Sequence, residues 1–301
     1  MTLKGKTESN GGKKLVVVNP ASGRSSFEEK LSYLKNRLAG SDLGYEIFYT
    51  EREKSGALSQ MISTGNFDEI FVMGGDGTLN LVVNEAGPGE MPISIVSNGT
   101  GNDSVKSLHG ELNFEKQVDI ALHGRIKQFD LGICNGRYFV NGVGIGFDGA
   151  VVKEMVERGD KRGRHIDYLI TVLRIVGGFR ERDLSFMLDG QRFEKKVLLR
   201  TISNGTTFGG GFIINPFART DDGMLDICII NAIKPWKRFW HLPKLKSGSH
   251  TSIREAEFHT AARINIDKSD QLVAHLDGEY IGHPPFNIEI LKKALSVKVP
   301  A

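Results

Sequence analysis

Cysteine is scarce. Cys134 and Cys228 are the only two in 301 residues, and they stand far apart inside apolar, strand-like runs. Such a pattern reads as buried free thiols in a reducing compartment, so a cytoplasmic location is expected. The CxxC, HExxH and paired zinc-ligand spacings are missing, which removes the common thiol-redox and zinc chemistries. Long hydrophobic runs are missing too. No stretch approaches the ~20 apolar residues of a membrane span, and the best one, residues 168–179, is cut by Arg174, Gly177 and Gly178. Residues 1–12 are polar and glycine-ended, so they read as a disordered tail rather than a hydrophobic signal segment. An excess of one charge is also lacking: Lys and Arg total 39 against 36 Asp and Glu, a formal +3. A balance so mild gives no ground for a nucleic-acid partner.

What is present is a regular alternation of strand and helix signals. The length suits about two domains. Residues 14–18 are continuous β-formers ending at Asn19-Pro20. Ser26 and Glu29 resemble a capping box before a helix faced by Leu31, Leu34 and Leu38 and stopped by Gly40. A strand over 45–49 follows, then a helix capped by Ser55 and carrying Leu58, Met61 and Ile62, and strands over 69–73 and 93–96. Alternation of this kind makes a parallel sheet with helices on both faces, whose ligands sit at the carboxyl ends of the strands. The pattern changes near residue 130. Asn135-Gly136 between the apolar runs 126–134 and 137–145 signals a hairpin, a helix is expected over 168–176, and strands dominate beyond it (184–188, 193–202, 224–230, 262–266, 272–276). The expected organisation is therefore an α/β domain with a parallel sheet over 13–132 and a mainly antiparallel β domain over 133–293. Residues 294–301 are a candidate return to the first domain.

The run Gly74-Gly75-Asp76-Gly77-Thr78-Leu79-Asn80 lies between the 69–73 strand and a helical segment at 81–85. A glycine-rich turn there aims free backbone N–H groups at an anion, above all a polyphosphate. Asp76 is where Mg2+ would bridge carboxylate and phosphate, which points to phosphoryl transfer. On a turn, its carboxylate is expected to contribute little to stability. A side chain at Gly75 is expected to obstruct the phosphate. Gly99-Thr100-Gly101-Asn102-Asp103 follows the next strand and offers a hydroxyl and a second carboxylate at the same sheet edge. Alone, its Asn-Asp pair is as consistent with a helix cap.

Other features have bland readings. Gly144, Gly146 and Gly149 spell GxGxxG, but off the parallel sheet they read as a tight turn, not a dinucleotide site. Residues 234–246 interleave Trp236, Phe239, Trp240 and Leu242 with Lys237, Arg238, Lys244 and Lys246. This suits an anionic membrane surface, yet Pro243 interrupts it, and packing of the aromatics onto a sheet is the preferred reading. Asp277-Gly278-Glu279 by itself reads as a hairpin turn shaped by Asp277.

Taken in order, Asn19-Pro20-Ala21-Ser22-Gly23, GGDGTLN, GTGND and Leu276-Asp277-Gly278-Glu279 resemble the motifs of the diacylglycerol kinase family of lipid kinases, which includes soluble bacterial members and sphingosine kinases. The likeness runs from Lys14 to about Val299. It implies an α/β nucleotide-binding domain followed by a β-sandwich-like domain, ATP and Mg2+ as cofactors, and a lipid substrate. It also implies that Gly74, Gly75, Asp76, Gly77, Thr78 and Asn80 bind ATP phosphates and Mg2+, with Asn19, Thr50, Gly99 and Thr100 near the nucleotide. Asp103 matches an acidic residue needed for activity, and Asp76 shares that role. Glu279 matches the general base that takes the proton of the attacking hydroxyl, a role that burial in a cleft is expected to tune. Arg219, Asp222 and Met224 match a structural Mg2+ or Ca2+ site in which the first and last contribute backbone carbonyls; a plain Asp-Gly turn is the alternative. Ser97-Asn98 departs from the proline-containing pair usual before GTGND.

The resulting expectation is an ATP- and Mg2+-dependent lipid kinase with transient peripheral contact at the inner face of the membrane. The order of motifs leaves a homodimer open, and diacylglycerol, phosphatidylglycerol, sphingoid bases and polyprenols all open as acceptors. An NAD kinase shares GGDGT but not GTGND. A non-catalytic nucleotide-binding regulator would have no use for Glu279.

Overall fold

Apart from the charged Lys14 and Glu69 that open them, the central strands Lys14–Val18 and Glu69–Gly74 of the first unit are continuously apolar, as strands covered on both faces must be. Leu15, Val16, Val17 and Val18 are all buried, as is every residue of Glu69–Gly74. The structure, a computed structural model, describes residues 4–5, 12–23, 26–41, 44–50, 56–99, 101–159, 165–269 and 271–301. The chain divides into two units, Met1–Phe129 with Lys293–Ala301, and Asp130–Lys292.

In the first unit, Tyr45–Tyr49, Lys14–Val18, Glu69–Gly74 and Gly89–Ser97 pair parallel in that spatial order. Lys4–Gly5, inside the segment read as a tail, pairs antiparallel with Tyr45–Tyr49. The end of the strand Phe286–Val299 joins the sheet parallel to Gly89–Ser97. That return is anchored by charge. The buried Glu69 carboxylate pairs with Lys298 at 2.9 Å and Lys14 at 3.3 Å, and Lys298 also donates to the Ala121 carbonyl. The helix Phe27–Ala39 buries Leu31, Leu34 and Leu38 as its spacing predicts, but Ser26 makes no capping hydrogen bond. Glu28 and Glu29 in the first turn favour the helix through its dipole instead. The next helix, Ala57–Thr64, begins after Gly56, and Ser55 lies outside the described residues.

In the second unit, the strands Phe286–Val299, Arg263–Ile266, Arg182–Leu188, Gln191–Ser203, Gly142–Gly146, Ala274–Leu276 and Glu279–Gly282 neighbour one another in that order, each pair antiparallel. Leu225–Asn231 and Ala256–Ala261 extend the sheet from Gln191–Ser203. Asn135-Gly136 and Asp189-Gly190 form the tight turns, each with two positive φ values. One expectation needs correction. The run 137–145 is not one strand but Arg137–Phe139 and Gly142–Gly146. The Asp277 carboxylate accepts the N–H groups of Val140, Asn141 and Gly142 and takes them out of the ladder. The helix expected over 168–176 is present as His165–Ile175, and with Phe147–Glu157 and Pro235–Ser247 it covers one face around Val151, Val172, Leu199 and Ile230.

Two buried features follow from composition and contact. Cys134 and Cys228 are free thiols, and burial pushes both up to about 12, so neither is a ready nucleophile. Arg200 is fully buried in the middle of its strand, its guanidinium 3.4 Å from the centroid of the Phe186 ring, and its nitrogens make no hydrogen bond among the described residues. Burial pushes its pKa down to about 9.

Candidate active site

The glycine motif is compressed by the elements it joins. Its helix starts earlier than 81: Asp76–Ala86 is helical, with Gly75 as the N-cap in an extended conformation, φ −105°. Asp76 and Gly77 thus form the first turn, whose N–H groups have no acceptor within the helix. A Cβ on Gly74 would stand 2.3 Å from Thr78 Oγ1, so only glycine lets Thr78 fold back over the strand end. Thr78 Oγ1 accepts from Asn19 Nδ2 at 3.1 Å, and Asn19 Oδ1 accepts the Ala21 N–H at 3.0 Å.

The loop after Gly89–Ser97 is drawn into the same cluster. Gly99 packs directly on Gly75: a Cβ on Gly99 would meet the Gly75 Cα at 2.8 Å. Asp76 accepts the N–H of Asp103 at 3.0 Å and of Ser104 at 2.9 Å, capping the helix Asp103–His109 from outside it. Asp103 itself is buried. Asn98 fills the departure from the usual proline. Its N–H bonds the Gly74 carbonyl, its Nδ2 bonds the Ser22 carbonyl and its Oδ1 accepts from Lys30 Nζ at 2.9 Å. Ser97 donates through both N–H and Oγ to Gln117.

Asn19, Gly74, Gly75, Asp76, Thr78, Gly99 and Asp103 are therefore brought together at the carboxyl ends of three parallel strands. Gly77 is exposed. Thr50 ends the neighbouring strand, its N–H on the Val18 carbonyl. Asn80 is buried along the helix and accepts from Asn84. Thr100 lies outside the described residues.

In the second unit, Glu279 opens the strand Glu279–Gly282. Contrary to expectation it is exposed, and its carboxylate pairs with Arg137. Asp277 and Gly278 form the preceding turn, with φ 46° and 86°. Beneath it lies a cluster that sequence reasoning missed. His275 Nε2 is 2.8 Å from Asp148 Oδ2, and Tyr168 donates to Asp148 Oδ1 at 2.6 Å. Burial alone would raise the Asp148 pKa; its interaction with His275 and the hydrogen bond from Tyr168 outweigh burial and lower it. Asp148 and Tyr168 also edge a pocket otherwise apolar, walled by Phe147, Phe208, Phe212 and Leu242. A lone histidine in the strand-like run 272–276 was the available signal.

The residues matched to a structural cation lie on one turn. Asp222 Oδ1 accepts the Met224 N–H at 3.1 Å, and Arg219 pairs with Asp221 at 3.6 Å. Gly223 donates to Asp130 at 2.6 Å. Burial and the nearby Asp222 push Asp226 up to about 6. No group of three or more metal-ligating side chains occurs among the described residues, so a cation here would depend on backbone carbonyls.

The aromatic residues of the helix Pro235–Ser247 face outward, which corrects the packing expectation. Trp236, Phe239 and Trp240 are 61%, 46% and 76% exposed. The inward position belongs to Arg238, which donates to the carbonyls of Ile233, Val176 and Phe179 and pairs with Glu181. The helix also runs through Pro243. No helix among the described residues is long and apolar enough to cross a membrane.

Residues 13–134 match the diacylglycerol kinase catalytic domain family, and residues 141–299 match the YegS C-terminal NAD kinase beta sandwich-like domain family. A diacylglycerol kinase of Staphylococcus carnosus (strain TM300) is 27% identical over 292 residues, covering 95% of this chain and 94% of that protein. One from Staphylococcus haemolyticus (strain JCSC1435) is 28% identical over 289 residues, covering 95% and 87%. Two solved structures from Bacillus anthracis str. Sterne superpose with TM-scores of 0.77 and 0.74 at 24% and 22% identity, each covering 97% of this chain and 98% of its own. At those identities the superpositions establish the fold.

Proposed function

This chain belongs to the diacylglycerol kinase family and is a kinase, and from that premise we propose that it transfers the γ-phosphate of ATP, with Mg2+, to a hydroxyl of diacylglycerol or a related lipid. The observation that carries the reading is the interlocked pair of loops in which Asp76 holds the amides of Asp103 and Ser104 while Gly75 and Gly99 touch. Residues this close leave a surface of glycine backbone and first-turn N–H groups, suited to phosphate oxygens. Thr78, Asn19, Thr50, Thr100, Gly77 and Asn80 are assigned to the nucleotide by resemblance.

Asp76 and Asp103 would hold Mg2+, which supplies neutralisation of charge developing on the phosphates. The lipid oxygen attacks the γ-phosphorus, the bond to the β-phosphate oxygen breaks and ADP leaves. The hydroxyl proton passes to the Glu279 carboxylate. Arg219 and Met224 carbonyls with the Asp222 carboxylate would hold a structural Mg2+ or Ca2+. Burial, with the Asp222 charge beside it, pushes Asp226 up to about 6, and a cation on this turn would relieve that crowding of carboxylates.

The GTGND run at residues 99–103, in place of the NAD-kinase pattern at that strand, supports a lipid acceptor over NAD. The exposed Trp236 and Trp240, on a helix with Lys237, Lys244 and Lys246 and no acidic residue, support peripheral contact with an anionic bilayer at the cytoplasmic face. The test is incubation of the pure protein with ATP, Mg2+ and a mixed lipid extract, followed by mass spectrometry of the products, with NAD in a parallel tube. A phosphorylated lipid supports the reading. NADP formation, or ATP left unconsumed with every lipid, overturns it.

A further inference from the structure

The turn that presents Glu279 is fastened from both sides. Outward, the Asp277 carboxylate accepts three successive amides of residues 140–142. Inward, the Gly278 N–H donates to His275 Nδ1 at 3.2 Å. A ring nitrogen that accepts carries no proton, so the ring's proton sits on Nε2 and is donated to Asp148 Oδ2 at 2.8 Å. Tyr168 completes the line on the other carboxylate oxygen. His275 and Asp148 are both buried.

The space for this pair is made by the glycines that spell a dinucleotide motif. A Cβ on Gly144 would lie 2.3 Å from His275 Nε2 and 2.4 Å from Asp148 Oδ2. Gly146 turns the strand into the helix Phe147–Glu157 at φ 88°. A Cβ on Gly149 would lie 2.2 Å from the Val273 carbonyl, so this glycine lets the helix carrying Asp148 close on the strand carrying His275. Three glycines thus serve one buried contact.

We propose that His275 is a positioning residue for phosphoryl transfer: its ring ties the Gly278 amide, one residue before Glu279, to the hydrogen-bonded Asp148–Tyr168 pair. The proposal rests on the assignment of Glu279 as the base. A histidine is suited to the task because it accepts on one side and donates on the other, across the width of a ring. Asparagine at 275 can keep only the acceptor near Gly278, and glutamine can keep only the donor toward Asp148.

The test uses the full chain with ATP and the lipid acceptor found in the mixed-extract experiment. His275→Asn and His275→Gln are each expected to lower kcat by about tenfold, on the order of one lost positioning contact, with KM for ATP within about twofold. In a Glu279→Gln background neither is expected to lower kcat further, because residues acting through one group are not additive. A structural residue would instead reduce both backgrounds alike. Tyr168→Phe, which keeps the ring and removes the last bond, is the variant to use if the histidine changes fail to fold; its smaller loss in kcat should also vanish with Glu279→Gln. Wild-type kcat in folded His275→Gln and His275→Asn, or equal losses in both backgrounds, overturns the proposal. Wild-type kcat in Glu279→Gln overturns the base assignment itself, a separate outcome.

Discussion

The carboxylate of Asp76 is bound to the backbone N–H of Asp103 at 3.0 Å, so the two acidic residues of the paired motifs are joined before any ligand arrives. The second oxygen of Asp76 holds the Ser104 N–H at 2.9 Å. Asp76 therefore has a structural duty that its place on a glycine turn did not suggest.

Asp76→Ala is expected to abolish kinase activity and also to lower stability by about 0.5–2 kcal/mol, the usual loss when a helix gives up its N-terminal acceptor. Asp76→Asn keeps an acceptor oxygen and should recover part of the stability without the activity. Thermal unfolding alongside lipid phosphorylation measures both. Near-normal turnover in folded Asp76→Ala would remove Asp76 from the site.

Gly75→Val is expected to block ATP binding. Its φ of −105° is open to any residue, so the obstacle is space and not backbone strain. A Cβ there stands 3.3 Å from the Gly99 Cα, and the two valine methyls would push the loops apart. Gly99→Ala should act similarly, since its Cβ would meet Gly75 at 2.8 Å. Calorimetry that finds unchanged ATP affinity in either variant contradicts this account.

Glu279→Gln is expected to lower kcat by roughly 10²–10⁴-fold, the usual value of general-base catalysis, with ATP affinity retained. The amide keeps the shape but cannot take the hydroxyl proton. Fold should be unaffected, because Glu279 is exposed and its pair with Arg137 is a surface contact of small worth. Single-turnover kinetics with separate measurement of ATP binding distinguishes the two effects.

Replacing Trp236 and Trp240 by Ala is expected to weaken binding to anionic vesicles about tenfold, since burying even ~60 Å2 of indole at ~25 cal/mol per Å2 is worth about 1.5 kcal/mol. Binding of the unaltered protein should fall as salt is raised. Unchanged sedimentation with vesicles in the double variant would exclude this helix as the contact.

The parallel first half, the antiparallel second half and the positions of the motif turns were legible in the sequence because each depends on local chemistry. Strands buried on both faces must be continuously apolar, and tight turns need glycine or asparagine at positive φ. The roles of individual polar groups were not legible, because they depend on what packing brings within about 3 Å. Asp76 became a cap because Gly75 and Gly99 allow their loops to touch. The 137–145 run broke because Asp277, far along the chain, takes its amides. Trp236 and Trp240 face outward because Arg238 finds three carbonyls and a carboxylate within. His275 joined Asp148 because two glycines cleared the way. Periodicity and turn chemistry act between near neighbours and so are written in the sequence, whereas hydrogen bonds between distant residues exist only once the chain has closed on itself.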